Sequence, residues 1–171
     1  VGISAADRDY FQALRDGVEV VVSPQLDDRL SGESVFVLAR RISRSGAFQG
    51  AASIAIPIDM MATFWSIMEL GPRSTVAVLR TDGWLVARHP ALEATISLAQ
   101  APLFTTFFPQ SPSGYYHSSA SPADGIARIV GYRQVEGWPL VATAAVERRE
   151  VLRPFRSTLT LALAIGLPTM V

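Results

Sequence analysis

The chain contains no cysteine, no lysine and no asparagine. Without cysteine there are no disulfides, no thiolate metal sites and no cysteine nucleophile. All 15 basic residues are arginines, and 15 acidic residues balance them to a formal net charge of zero. A chain so balanced lacks the electrostatic footprint of a nucleic-acid binder. Histidine is scarce as well, at His89 and His117. Neither sits in a His-Glu-x-x-His or similar ligand spacing, so both read as surface residues and no metal is implied. No Gly-x-Ser-x-Gly elbow is present, and no Gly-rich phosphate loop precedes a helix. Carboxylates are scattered, their one cluster, Asp27-Asp28, falling in a polar turn. The segment therefore shows no catalytic constellation and calls for no cofactor.

Apolar residues are abundant. They make up 49% of 171 residues, and the mean hydropathy of +0.27 is high for a soluble domain. The length suits one ordinary domain or two small ones. Residues 157–171 carry no charge and are rich in Leu, Ala and Ile. About 20 apolar residues span a bilayer, so this run reads as the start of a transmembrane helix. The alternative is a buried C-terminal helix of a soluble ligand-binding or scaffolding module. Arg148, Arg149, Arg153 and Arg156 precede the run. The positive-inside rule compares two flanks, and with one flank present it assigns no orientation. The opening Val1-Gly2-Ile3 shows no initiator Met, basic region or apolar core of a signal peptide. The chain reads as a fragment at both ends.

Periodicity lays out the elements. Residues 74–90 hold two β-rich runs around Asp82-Gly83, a strong hairpin signal because both residues tolerate positive φ. With Thr81 opposite Trp84, Val76, Val78, Leu85 and Ala87 share one face, and Ala77, Leu79 and Val86 the other. Two apolar faces suit inner strands of a covered sheet. A second strand pair is expected at 126–135 and 140–146, separated from the first by an irregular, partly helical insert at 91–124. That order describes a small antiparallel α+β sheet with its helices on one side. Upstream, 4–17 reads as a helix with a Ser4/Asp7 capping box, and 18–22, 35–42 and 48–56 read as strands, with Ser45-Gly46 as a turn. Residues 25–32 read as a polar turn. Residues 59–70 form a helix capped by Asp59, and 147–171 a last helix with Pro154 as a kink. Two sheet modules in tandem follow, the first lacking its beginning.

One group differs in kind. In Asp7-Arg8-Asp9-Tyr10-Phe11, helical geometry places Asp7 and Phe11 on one face and Arg8 and Tyr10 about 200° apart. Tyr10 can pack while offering a hydroxyl, and Arg8 can present a bidentate donor to a carboxylate. The plainer alternative is a helix start with Tyr10 and Phe11 in the core and Arg8 in solvent.

In order along the chain, Asp7-x-x-Tyr10-Phe11, Ser31-Gly32, Arg40-Arg41, Phe48-x-Gly50, Leu70-Gly71-Pro72 and the Asp82-Gly83 hairpin form a series. This series resembles the double Cache (PDC) sensor domain, the tandem PAS-like extracytoplasmic region of bacterial receptors. The run from Gly83 to Pro90 looks most like members attached to diguanylate cyclases and sensor histidine kinases. The resemblance implies an α+β fold of tandem PAS-like antiparallel sheets with flanking helices, the first module incomplete, followed by a truncated transmembrane helix. Residues 1–58 would be the later part of a membrane-distal module, 59–72 a connecting helix, 73–147 a membrane-proximal module, and 148–171 a juxtamembrane helix entering the membrane.

Amino-acid-binding members use an Arg-x-Trp pair, a Tyr with an accompanying Asp, and a closing Asp. The resemblance maps these onto Arg8 and Tyr10, onto Gln25 and Asp27, and onto Ala55. With Ala55 in place of the closing carboxylate, the partner of an α-ammonium group is lost. A carboxylate or other small anion held by Arg8 then fits what remains. The resemblance further implies a homodimer at the bacterial inner membrane, its sensor region periplasmic. This segment would be no enzyme, with a cyclase or kinase output domain beyond it.

Overall fold

The computed structural model describes residues 4–67, 71, 73–92 and 94–151. The expected transmembrane start at 157–171 lies outside them. Residues 148–151 are helical, and among the described residues no helix is long and apolar enough to cross a membrane.

The first sheet is built on one long hairpin. Strands β3 (Ser34–Arg44) and β4 (Ala47–Pro57) pair from Val35↔Pro57 to Arg44↔Ala47, with one register shift between Ile42 and Ser43. Ser45 and Gly46 turn the chain with φ of +52° and +80°. Two consecutive positive φ values match the right-handed twist of flanking strands, which explains why a short Ser-Gly connection suffices. On the other edge of β3, the short strands β1 (Val20–Val22) and β2 (Leu26–Asp27) pair in succession. Strand β2 falls within the stretch expected to be a turn.

Helix α1 (Asp9–Arg15) lies on the face carrying Val35, Val37 and Ala39, with Leu14 fully buried among them and Tyr10 and Phe48 at the margin. Arg41 secures its end, donating from one guanidinium nitrogen to the carbonyls of Leu14 and, at 2.9 Å, Arg15. Those carbonyls lack partners within the helix, so a cation there is favoured twice over. The helix is shorter than expected. Arg8, with an extended ψ of 136°, is the N-cap residue, and no side chain caps this end. Ser4 accepts from the amide of Ala6 instead of forming the capping box.

Helix α2 (Ile58–Ser66) leads to the second sheet. Pro57, not Asp59, is its N-cap residue. Ile58 and Trp65 are buried with Ala87, against Phe36 of the first sheet and Val76 and Val78 of the second. The second sheet has the order β6-β5-β9-β8-β7, all antiparallel, from β5 (Thr75–Arg80), β6 (Leu85–His89), β7 (Ser113–Ser118), β8 (Arg128–Val135) and β9 (Leu140–Glu147).

Three expectations need correction here. The hairpin turn is not a two-residue one: the Gly83 amide bonds the Arg80 carbonyl, the Arg80 amide bonds that of Trp84, and within the turn only Gly83 takes positive φ, at +90°. The longer turn leaves Val86 as an extra residue, because Val78 pairs with Ala87 while Leu79 pairs with Leu85. A β-bulge of this kind sends the following side chains to opposite faces. Leu85 therefore joins Ala77 and Leu79, opposite Val76, Val78 and Ala87. Strand β6 is also terminal in the sheet's bonding order rather than interior; a bridge from Trp84 to Ser97 and bonds between Leu85 and both Ile96 and Gln25 cover its edge. Finally, the helices are not confined to one side. Helix α2 covers one face of the second sheet, and the insert covers the other with Ile96, Leu98 and a π-helical turn at Leu103–Phe107.

Candidate functional site

Where the two sheets meet, the start of α1, the β1–β2 segment and the β5–β6 turn border a cleft of about 760 Å³. Its volume lies within the ordinary range of small-molecule sites. Its position follows from one bend. Ser23, 2% exposed, bonds Val37 through its own amide and accepts the Val37 amide on its hydroxyl, both at 2.8 Å. Pro24 then turns the chain toward the second sheet, where the Gln25 amide donates to the Leu85 carbonyl at 3.2 Å and the Thr95 hydroxyl donates to the Gln25 carbonyl at 3.1 Å. Arg80 reaches back to the Val22 carbonyl at 3.3 Å. The cleft is thus floored by both sheets.

Three arginines line it, and each has a different partner. Arg29 makes a two-pronged bond to Asp7 at 2.9 and 2.5 Å and also donates to the Ser4 carbonyl. That guanidinium holds the Asp7 carboxyl down to about 2. Arg80 makes a similar two-pronged bond to Asp82, one prong at 3.0 Å. Arg8 donates to a backbone carbonyl, that of Asp27, at 2.8 Å. Among the described residues, Arg8 is the cleft arginine without a carboxylate partner.

The expected site residues divide accordingly. Arg8, Tyr10 and Gln25 all line the cleft. Arg8 and Tyr10 come together because Arg8 precedes the helix, so the 200° separation of a helical wheel does not apply to it. Asp27 contributes its carbonyl to Arg8 while its carboxylate accepts from the Ser34 hydroxyl at 3.2 Å. Ala55 stands apart: it pairs with Val37 on β4, across β3 from β1 and β2, and is exposed. Residue patterns missed Arg29, Arg80, Asp82, Trp84 and Thr95, which also line the cleft. The Arg80-x-Asp82 spacing across a turn was the available signal. Asp28, in the same polar stretch, serves the β2–β3 loop by accepting from the Ser31 and Leu30 amides, which lowers its pKa. His117 is exposed and His89 half-buried. Among the described residues no group of His, Asp and Glu could hold a metal ion.

A family model described as a histidine kinase sensor domain, dCache_1-like, matches residues 58–145. The chain belongs to this family of Cache sensor domains. Its fold is similar to the extracellular domain of a protein described as a histidine kinase, rpHK1S-Z16, at 34% identity and a TM-score of 0.74, covering 88% of this chain and 63% of that one. Two more distant structures share the fold. One is the ligand-binding domain of the Pseudomonas fluorescens chemoreceptor CtaA, solved with L-isoleucine (17% identity, TM-score 0.62, 89% and 62% covered). The other is the periplasmic sensory domain of the Campylobacter jejuni chemoreceptor Tlp1 (14%, 0.68, 87% and 58%). The chain spans less than two thirds of each of these domains. No curated protein matches it. The mixed α+β architecture of two antiparallel sheets is that of a Cache domain, a sensor rather than a catalytic unit.

Proposed function

We propose that this chain is the extracytoplasmic sensing segment of a bacterial transmembrane receptor and that a small carboxylate binds in the cleft between its two sheets. The carrying observation is Arg8: it lines the cleft with Tyr10 and Gln25, donates to the Asp27 carbonyl, and forms no ion pair with a carboxylate among the described residues. A planar guanidinium with donors to spare recognises a carboxylate in two-pronged fashion. Amino acids, which the CtaA domain was solved with, need in addition a carboxylate for the α-ammonium group. Two of the cleft's carboxylates, Asp7 and Asp82, are each already bonded to an arginine, and the third, Asp9, is exposed at the start of α1, so an α-ammonium group has Asp9 alone to meet.

Residues 1–58 act as the distal module, 59–72 as the connection and 73–147 as the proximal module. Because the cleft is bordered by both sheets, a ligand that prefers one arrangement of them shifts the population toward it. The helix beginning at residue 148 carries that difference across the membrane, within a homodimer, to a cytoplasmic output domain. The family model favours a histidine kinase output.

The test is a thermal-shift screen of the full-length protein with small carboxylic acids and amino acids. A ligand that binds only the folded state raises the melting temperature with concentration. The reading expects a carboxylic acid to do so and Arg8→Ala to abolish the shift without lowering the ligand-free melting temperature by more than a few degrees. A shift that survives Arg8→Ala overturns it.

A further inference from the structure

The second sheet and the insert border another cavity, of about 70 Å³, separate from the cleft. Most of its wall is apolar, including Leu79, Leu103 and Phe104, yet Arg88 and Arg128 also line it. These arginines are 8% and 3% exposed. Buried cations are strongly unfavourable unless paired. Here one carboxylate serves both, Asp124 accepting from Arg88 at 2.7 Å and from Arg128 at 2.6 Å. Glu147 lies opposite Arg128 across the β8–β9 register and bonds the exposed Arg73 at 3.3 Å. Neither Asp124 nor Glu147 is among the cavity-lining residues, so the charged residues lining it are Arg88 and Arg128.

Each guanidinium has five N–H donors. Among the described residues each makes two bonds, Arg88 to Asp124 and the Pro90 carbonyl, Arg128 to Asp124 and the Arg73 carbonyl. Both therefore retain donors for a further acceptor. Burial lowers the Arg88 pKa despite Asp124, which accords with incomplete compensation. Tyr116 also lines the cavity, and burial raises the pKa of its hydroxyl. At roughly 30 Å³ per water, the cavity holds about two waters or one molecule the size of formate or acetate.

We propose that this cavity is a second ligand site, for a short monocarboxylate whose charged end meets Arg88 and Arg128 and whose carbon meets the apolar wall. It is independent of the ligand in the cleft. The test is calorimetric titration of the full-length protein with sodium acetate against sodium chloride of equal ionic strength. Saturable acetate binding is expected, weakened at least about tenfold by Arg128→Gln, as for loss of a charged hydrogen-bond partner. Since Arg128→Gln also strips a partner from Asp124, a second variant leaves the arginines intact: Ala101→Leu fills the cavity from a lining position 7% exposed. It is expected to abolish binding, and Arg8→Ala to leave it unchanged. The absence of saturable binding to the unaltered protein overturns the proposal, as does binding that survives a folded Ala101→Leu variant or disappears in Arg8→Ala.

Discussion

Asp7 and Arg29 show how a surface pair shapes the cleft. Their two-pronged bond holds one wall and keeps the Asp7 carboxyl ionised down to about 2, against an ordinary value of 3.8. A carboxyl whose folded-state pKa is depressed contributes stability that is fully present above its unfolded value and vanishes as pH falls through the folded one. The contribution is therefore constant above about pH 4 and lost between there and pH 2. Both groups are solvated, so the effect on stability is small. The sharper readout is the carboxyl itself: in Arg29→Ala, its NMR titration midpoint is expected to return toward 3.8, and an unchanged midpoint contradicts the assignment. Part of this was legible from residue types. Arg8 and Tyr10 stood out as a donor and a packed hydroxyl, whereas their joint orientation depended on Arg8 taking an extended ψ, which a helical wheel does not contain. Asp27 and Ala55 were placed by resemblance alone, and their side chains are held elsewhere by Ser34 and by the register of β4.

Among the elements, α2 ties the two sheets together, because its inner face packs between them. Trp65 is 5% exposed and Phe64 59% exposed, one residue away. Trp65→Ala is expected to cost about 3–5 kcal/mol of unfolding free energy, and Phe64→Ala within about 0.5 kcal/mol of zero. Urea unfolding of the two variants checks both, and equal losses would contradict this packing. Element types were readable where a local rule acted without interference. Ser45-Gly46 is such a case, since both residues adopt the positive φ the turn needs. Asp82-Gly83 signalled a turn equally well, but the register came out one residue off near the turn. The longer turn and the Val86 bulge are set by tertiary contact: the Leu98 amide bonds the Gly83 carbonyl, and a Cβ at Gly83 would stand 2.4 Å from the Ala99 amide nitrogen. Strand β7, Ser-Gly-Tyr-Tyr-His-Ser, lacks the alternation of a half-buried strand. Tyr116 is its one buried side chain, stacked on Phe107 at 4.6 Å, so β8 and the π-helical turn create it more than its own sequence does.

For the molecule as a whole, the two sheets are held together by packing and by polar links. Helix α2 packs against both, the Gln25 backbone is bonded to Leu85 and Thr95, and Arg80 crosses to Val22. A cleft bordered by both sheets is where a small ligand has leverage over their arrangement, because contacts differing between two arrangements are what a ligand can select. The tandem-sheet plan was visible from the order of strands and helices, while the cleft was not, since its walls come from segments about 60 residues apart in the chain, such as Ser23 and Asp82. The most direct test is a crystal structure of the full-length sensor region grown with the carboxylic acid that stabilises it. The account predicts the acid in the cleft with its carboxylate about 3 Å from the Arg8 guanidinium. An acid bound elsewhere, with the cleft empty and Arg8 still donating to Asp27 alone, would contradict it.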